Sequence, residues 1–211
     1  MFAPMSLYGR IFAGMYDRMM AGTEKAGLTE RRHDLLASAR GRVVEIGAGT
    51  GVNLAHYPDA VTELVLTEPE EPMARRLEEK ARASGRAATV VRAPAESLPF
   101  PDDSFDTAVC TLVLCTVRDP NQALAELQRV LKPGGTLLFL EHVRADDPGL
   151  ARWQDRLAPF WRKCGHGCNP NRPTHDLIRG SGLEVIELEE GELPKAPPIV
   201  RPLRAGRAAA P

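Results

Sequence analysis

Short apolar runs that alternate with helical patterns are the feature that most constrains the fold of this chain. The runs lie at residues 42–46, 64–66, 89–91, 107–114 and 136–140. Helical patterns separate several of them, at 71–83 and 121–131. Strands that alternate with helices predict βαβ units and a parallel sheet, and uninterrupted apolar runs are typical of strands buried on both faces. We therefore predict an α/β fold, a mostly parallel sheet with helices on both faces.

The composition agrees with a folded globular protein and argues against several other classes. Hydrophobic residues make up 43% of the 211 residues and charged residues 26%, which is enough to bury a core. The 27 Lys and Arg against 28 Asp and Glu give a net charge of −1, which argues against nucleic-acid binding. No apolar run reaches the roughly 18 residues of a membrane span. Four cysteines are too few for a disulfide scaffold, so we expect a cytoplasmic protein.

A glycine-rich loop at 45–51, Glu-Ile-Gly-Ala-Gly-Thr-Gly, follows the first predicted strand and precedes a short helix predicted at 52–57. Gly47, Gly49 and Gly51 allow a tight turn and a close ligand, because no Cβ stands in the way. A dinucleotide-binding loop would place its third glycine at 52, and the absence of a following Lys-Ser/Thr excludes a P-loop. Glu68 ends the next strand about 20 residues later, the spacing at which a carboxylate accepts hydrogen bonds from a ribose diol.

Three ordered motifs resemble those of the S-adenosylmethionine (SAM)-dependent methyltransferases with a Rossmann-like sheet. They are the glycine loop, Leu-Pro-Phe-Pro-Asp-Asp-Ser-Phe-Asp at 98–106, and Val-Leu-Lys-Pro-Gly-Gly at 130–135. The resemblance implies SAM as the cofactor and a seven-stranded sheet whose seventh strand is antiparallel. The proline-containing tail at 199–208 is then expected to be ordered as a last edge strand, where proline is tolerated.

The resemblance also implies which residues bind SAM. Gly47, Gly49 and Gly51 would pass under its methionine part, with Glu45 at the amino group. Glu68 would hold the ribose hydroxyls, although many relatives carry Asp at this position. The remaining contacts would be to the adenine and the sulfonium: Pro69 and Met73 against the adenine, Ala95 and Glu96 at its edge, and Cys110, Thr111 and Leu112 below the sulfonium. Pro94 stands where many relatives carry Asp, so the backbone of Ala95 or Glu96 is expected to meet the adenine amino group.

A closer resemblance covers most of the chain. The segments 110–117, 141–143, 153–161, 167–172 and 200–208 are similar to the thiol S-methyltransferases among the methyltransferase-like proteins. This implies methyl transfer to a small lipophilic thiol. Animal members begin with a hydrophobic membrane anchor, whereas this chain begins with a short mixed segment, and we expect no transmembrane segment. Two alternatives stay open: N-, O- or C-methylation of a lipid amine, phenol or quinone, and a SAM-binding protein without turnover.

His142 follows the fifth predicted strand, at the edge where ligands of such sheets bind. Its imidazole is a candidate catalytic base for an acceptor thiol or hydroxyl, or a residue merely hydrogen-bonded to a loop. Asn169 and Arg172 lie in a loop expected to close over the substrate, either pointing polar groups inward or tying the loop down. The sequence Cys-Gly-His-Gly-Cys at 164–168 offers three metal ligands where structural zinc needs four, so we expect no metal. Cys110 and Cys115 are interpreted as small buried hydrophobic residues.

Residues 1–40 are predicted to form a helical lid on a methyltransferase domain at 41–211. Five of the six methionines lie at 1, 5, 15, 19 and 20, and apolar residues between Ile11 and Met20 recur on one helical face. A Met-rich surface adapts to varied apolar shapes, so Tyr16 and Met19 are candidate substrate contacts. A helix packed on the core is the alternative, and only two basic residues support contact with a membrane surface. The oligomeric state is not predicted.

Overall fold

The structure is a computed structural model that describes the backbone from Leu7 to Pro211 and the side chains from Gly14 onward, except that of Tyr16. Over this range the helices are α1 (Leu7–Thr23), α2 (Thr29–Leu36), α3 (Glu71–Ser84), α4 (Pro120–Val130), α5 (Pro148–Cys164) and α6 (Thr174–Gly180). The strands are β1 (Gly41–Ile46), β2 (Val61–Thr67), β3 (Ala88–Val91), β4 (Phe105–Thr111), β5 (Leu131–His142), β6 (Glu184–Glu192) and β7 (Pro202–Ala209). The predicted short helix at 52–57 is a single 3₁₀ turn, Val52–Ala55.

The seven strands form one sheet in the order β3-β2-β1-β4-β5-β7-β6. The first five strands pair in parallel, and β7 is antiparallel to both β5 and β6. This confirms the predicted mostly parallel seven-stranded sheet. The tail is ordered, but its prediction as an edge strand was wrong, because β7 lies between β5 and β6 and leaves β6 at the edge. Pro202 is the first residue of β7, a position where the missing N–H is tolerated.

Neighbouring residues of each strand pack on opposite faces of the sheet, as the uninterrupted apolar runs predicted. On one face Val44, Ala108 and Phe139 pack with Leu124 and Leu127 of α4. The other face carries a second buried cluster of strand residues and residues of α2 and α3: Val43, Leu64, Val109, Leu138, Leu36 and Leu77. Helices therefore cover both faces of the sheet. A ligand-binding site is consequently expected at the ends of the strands, which the helices do not cover.

Two differences between the strand bounds and the apolar runs affect how the chain enters and leaves the sheet. The run at 107–114 ends as a strand at Thr111, because Leu112 adopts a left-handed backbone conformation with φ 59° and turns the chain. Strand β5 begins at Leu131 instead of residue 136, and its pairing with β4 skips residues between Leu131 and Thr136. Gly134, with φ 72°, lies inside that skip. The Lys-Pro-Gly-Gly segment therefore leads from α4 into the sheet through an irregular strand start.

The N-terminal helices are broken rather than continuous. The chain turns at Gly27, whose φ of 125° is not helical, and Leu28 and Leu36 beyond it are fully buried. In α1, Met15 and Met19 are 51% and 58% exposed, so these two side chains do not belong to the core. Met1 and Met5, and the side chains of Ile11, Phe12 and Tyr16, lie outside the described residues. None of the helices in residues 7–211 is long and apolar enough to cross a membrane.

Close pairing of β6 with β7 depends on Gly206. A Cβ at this position would lie 2.1 Å from the carbonyl oxygen of Glu187. We expect Gly206→Ala to lower the free energy of unfolding by about 1–3 kcal/mol, the usual cost of overpacking, as measured by urea denaturation. Gly180→Ala is the matched control, because a Cβ there has no atom within 4 Å. Equal stability of the two variants would contradict this account of the β6–β7 pairing.

Candidate active site

The candidate residues gather at one edge of the sheet. The parallel strands β1, β2, β4 and β5 end at the same edge, which is where open α/β sheets bind ligands. The glycine loop follows β1, Glu68 follows β2, the turn at residues 112–115 follows β4, and His142 is the last residue of β5. The predicted cofactor and acceptor residues are therefore brought together by the topology.

The three glycines of the loop have distinct surroundings. All have positive φ, namely 56° at Gly47, 57° at Gly49 and 80° at Gly51, which L side chains rarely adopt. A Cβ at Gly47 would lie 2.8 Å from the Val113 side chain, and one at Gly51 would lie 2.7 Å from that of Leu54. A Cβ at Gly49 would meet no atom within 4 Å. The loop is thus packed at its two ends and open at its centre, as a ligand cradle requires.

Glu68 lies directly against this loop. Its Oε2 accepts a hydrogen bond from the backbone N–H of Gly49 at 3.0 Å, and its Oε1 accepts one from that of Glu70 at 2.9 Å. The residue is only 6% exposed, and this burial raises the pKa of Glu68 to about 7, while the two N–H donors act in the opposite direction. A carboxylate has about four acceptor positions, so each oxygen keeps capacity for one more donor. Two adjacent hydroxyls, as in a ribose, fit this capacity.

The four residues predicted to contact the adenine follow the neighbouring parallel strands β2 and β3, which end at the same edge of the sheet. Met73 of α3 and Ala95 are buried, and Pro69 follows Glu68 directly. The carboxylate of Glu96 accepts hydrogen bonds from the backbone N–H of Arg118 at 2.8 Å and of Asp119 at 3.3 Å. Glu96 therefore holds the chain that leads into α4. Contact of these four residues with an adenine stays a prediction.

Glu45 belongs to a buried polar network beneath the glycine loop. Its carboxylate accepts hydrogen bonds from Asn53 Nδ2 at 2.8 Å and from the Tyr57 hydroxyl at 2.6 Å. Arg32 of α2 donates to Asn53 Oδ1 at 3.0 Å and to the Thr111 hydroxyl at 2.9 Å. Burial is the main cause that raises the pKa of Glu45. Both carboxylate oxygens thus already have protein donors, and the predicted contact with the ligand's amino group stays a prediction.

Sequence reasoning missed three members of this network. Arg32, Asn53 and Tyr57 are buried at 2%, 0% and 4% exposure. Arg32 also pairs with Glu24, whose Oε1 accepts from its Nε at 3.1 Å. Arg32 stands in a charged helical pattern, which gives no sign that its guanidinium is buried.

The turn at residues 112–115 is held by the carboxylate of Glu141. Its Oε1 accepts hydrogen bonds from the backbone N–H of Val113 at 2.8 Å and of Leu114 at 3.0 Å, and from the Cys110 thiol at 3.1 Å. Its Oε2 accepts from the N–H of Cys115 at 3.4 Å. Burial raises the pKa of Glu141, whereas these donors lower it. Leu112 and Cys115 are thereby fixed beside the end of β5.

His142 faces two cysteines. The residue is 4% exposed, and its Nε2 lies 2.9 Å from Sγ of Cys168. Ligand atoms of Cys115, His142 and Cys168 all lie within 4.8 Å of one another. Nδ1 of His142 has no hydrogen-bond partner among the described residues. The predicted base is therefore turned toward protein sulfur, and the proton-accepting role of His142 stays a prediction.

Asn169 and Arg172 tie their loop to the turn at residues 112–115. Asn169 Nδ2 donates to the carbonyl oxygen of Cys115 at 3.1 Å. Arg172 Nη1 donates to the carbonyl oxygens of Leu114 and of Val117, the latter at 2.8 Å. This agrees with the expectation that these side chains tie the loop down, and their contact with a substrate stays a prediction. Cys164, which the sequence grouped with Cys168, is exposed and outside the cluster with Cys115 and His142.

Comparisons with known proteins agree on one family. Residues 44–139 match the family described as a methyltransferase domain. Rat thiol S-methyltransferase TMT1B is 38% identical over 152 residues, which are 70% of this chain and 62% of that protein. Human thiol S-methyltransferase TMT1A is 30% identical over 196 residues, 90% of this chain and 80% of that protein. The match thus spans between about three fifths and four fifths of these relatives.

Other similar proteins are described as acting on different acceptors. A phosphatidylethanolamine N-methyltransferase of Cereibacter sphaeroides is 32% identical over 137 residues, 64% of this chain and 68% of that protein. A solved structure from Thermotoga maritima, described as a SAM-dependent methyltransferase and possible histamine N-methyltransferase, superposes with a TM-score of 0.69 at 25% identity. It covers 96% of this chain and 97% of its own. The relatives named here therefore share methyl transfer and differ in the acceptor.

The raised pKa of Glu68 makes stability depend on pH. Because the pKa of about 7 in the folded protein is above the ordinary value of 4.5, the folded state holds an extra proton between these pH values. The free energy of unfolding therefore falls as pH rises through this window. We expect Glu68→Gln, which cannot ionise, to match the wild type near pH 4.5 and to exceed it by about 1–3 kcal/mol at pH 8.

Denaturant unfolding of both proteins across the pH range measures this effect. The buried carboxyls of Glu45 and Glu141 have raised pKa values too, but they are common to both proteins, so the difference between the two reports mainly on Glu68. A stability gap that stays constant with pH would contradict the described environment of Glu68.

Proposed function

This chain belongs to the SAM-dependent methyltransferases, and from that premise we propose that it methylates the thiol of a small apolar molecule. The observation that supports a thiol is that the side chains near the 112–115 turn that could act as a general base already have protein partners. Among the described residues there, the carboxylates of Glu45 and Glu141 are held by protein donors, and His142 Nε2 faces Cys168. A thiol suits such a site, because a few per cent of it ionises at neutral pH without help.

The proposed mechanism assigns binding, positioning and exclusion of water to this chain's residues. When bound, SAM supplies an electrophilic methyl group on a sulfonium. Glu68, which lies against the glycine loop, would accept hydrogen bonds from the ribose hydroxyls, and the open centre of the loop at Gly49 would admit the methionine part of the cofactor. The turn held by Glu141 would place Leu112 beside the reacting atoms. Holding two reactants in line supplies much of the rate of such a transfer.

We further propose that the N-terminal helix α1 is a lid over this site. The hydroxyl of Thr50, next to Gly49, donates to the Asp17 carboxylate at 2.5 Å, so α1 is tied directly to the glycine loop. Met19 and the neighbouring Met15 are exposed and available to an apolar acceptor. Tyr16, between them, is the other candidate contact from the sequence. A lid that closes at this position would exclude water from the transfer.

A panel of matched acceptors tests the substrate class. We expect benzyl mercaptan to be methylated at least about ten-fold faster than phenol or benzylamine at pH 7, because a thiol is far more ionised there than a phenol and an amine is protonated. Radiolabelled SAM followed by product chromatography measures the rates. Turnover of phenols or amines alone would favour the N- or O-methyltransferase alternative. SAM binding without any turnover would favour a non-catalytic protein.

Deletion of residues 1–20 tests the lid. We expect the shortened protein to fold and bind SAM, with methyl transfer reduced at least about ten-fold, since about 1.4 kcal/mol of apolar contact would be lost. Circular dichroism and calorimetry check the fold and SAM binding. Arg18→Ala is the single-substitution control and should keep normal turnover, because Arg18 is exposed and lies off the apolar face of the helix. Normal turnover of the shortened protein would refute the lid, and failure to fold would place α1 in the core.

A further inference from the structure

Three side chains from separate elements form a compact cluster of soft ligands. Cys115 lies in the turn after β4, His142 ends β5, and Cys168 lies in the loop after α5. Their ligand atoms, two sulfurs and one nitrogen, lie within 4.8 Å of one another. Cys115 and His142 are 2% and 4% exposed, and Cys168 is half-buried. The sequence argument against a metal counted only the ligands between residues 164 and 168, and the fold supplies a different set.

The geometry of this cluster fits zinc. Zn–S bonds of about 2.3 Å and Zn–N bonds of about 2.0 Å imply tetrahedral separations of roughly 3.8 Å between sulfurs and 3.5 Å between sulfur and nitrogen. The separation of 2.9 Å from His142 Nε2 to Cys168 Sγ is shorter than this sulfur–nitrogen value, and all three ligand atoms lie within 4.8 Å of one another, so small side-chain shifts bring them to the tetrahedral separations. Two cysteines and one histidine are a ligand set of catalytic zinc sites, which keep the fourth position open.

We propose that Cys115, His142 and Cys168 bind one Zn²⁺ whose fourth position takes the sulfur of the acceptor thiol. This inference rests on the proposed thiol S-methyltransferase function and gives His142 the role of a metal ligand in place of a base. The partial exposure of Cys168 leaves a side from which the acceptor enters. Cys115 is three residues from Leu112, so the metal lies on the same turn as the residue expected below the sulfonium.

The surroundings of the cluster support thiolate ligands. The indole N–H of Trp161 donates to Sγ of Cys168 at 3.3 Å, and hydrogen bonds from outside the ligand set hold and tune metal ligands. The backbone of Cys115 is fixed on both sides, by Glu141 at its N–H and by Asn169 at its carbonyl oxygen. Arg172 places a guanidinium on the carbonyl oxygens of Leu114 and Val117. The ligands are thus held in place by hydrogen bonds from several neighbouring residues.

The chemical step balances without an oxidant or a reductant. The acceptor loses its S–H proton to solvent, and its sulfur keeps the electron pair and binds the zinc. Another lone pair on that sulfur then forms the new S–CH₃ bond while the bond from the methyl carbon to the donor sulfur breaks. The broken bond's electrons stay on the donor sulfur, which leaves S-adenosylhomocysteine. The neutral thioether is a weaker zinc ligand than a thiolate, so it leaves the site.

Metal binding by the full-length protein gives a test that does not depend on turnover. Protein reduced with a phosphine and stripped of metal is dialysed against Zn²⁺, and bound metal is measured by mass spectrometry. We expect about one Zn²⁺ per chain for the wild type and for Cys164→Ala, the exposed cysteine outside the cluster. Cys115→Ala, His142→Ala and Cys168→Ala should retain little metal, and Trp161→Phe should bind about ten-fold more weakly. Circular dichroism checks that each variant is folded.

Cobalt substitution tests the open fourth position. Co²⁺ bound by two thiolates should give a near-ultraviolet charge-transfer band, and benzyl mercaptan should change its visible spectrum whereas benzyl alcohol should not. Failure of the reduced wild type to bind Zn²⁺, or a Cys115–Cys168 disulfide in its place, would overturn the inference. Metal binding without a response to the thiol would refute the acceptor role. Thiol methylation by metal-free protein at the full rate would refute the zinc site and leave the proposed function standing.

Discussion

The hydrogen bonds that the buried carboxyl group of Glu141 accepts are the interaction on which the turn after β4 depends. Taking a charged carboxylate out of water is costly unless hydrogen bonds compensate. Here backbone N–H groups of Val113, Leu114 and Cys115 converge on one side chain. They come from a turn that opens with the left-handed backbone of Leu112. The side chain and the turn therefore stabilise each other.

Buried glutamates that accept hydrogen bonds from nearby loops recur along the edge where the parallel strands end. Glu45 at the end of β1 and Glu68 after β2 are buried, and each accepts hydrogen bonds from the loop or 3₁₀ turn nearby. Three glutamates thus fix three successive loops around the region where ligands of such sheets bind. The loop geometry along this edge consequently depends on buried carboxyl groups whose hydrogen-bond donors come from the protein itself.

How much of the fold and of the candidate site the sequence predicts depends on how far apart along the chain the interacting residues lie. The strands at 42–46 and 89–91 and the approach of Glu68 to the glycine loop follow from local patterns and one known spacing. The sequence does not reveal the burial of Arg32, because a charged helical face looks the same whether or not it meets a polar pocket. Cys115, His142 and Cys168 come together only through strand order and a loop closure. The interior place of β7 likewise depends on pairing between distant segments.

The strand order also determines when each strand can pair while the chain is being translated. Five strands, β1 to β5, pair among themselves and leave the ribosome first. Strand β6 comes next but has no sheet partner until β7 emerges, since β7 separates it from β5. Over that interval the nascent chain exposes the edge of β5 and a free β6, and unpaired strand edges favour aggregation. Strand β7 therefore completes the interior of the sheet after the other six strands have been made, and its arrival ends the interval in which β5 and β6 lack this partner.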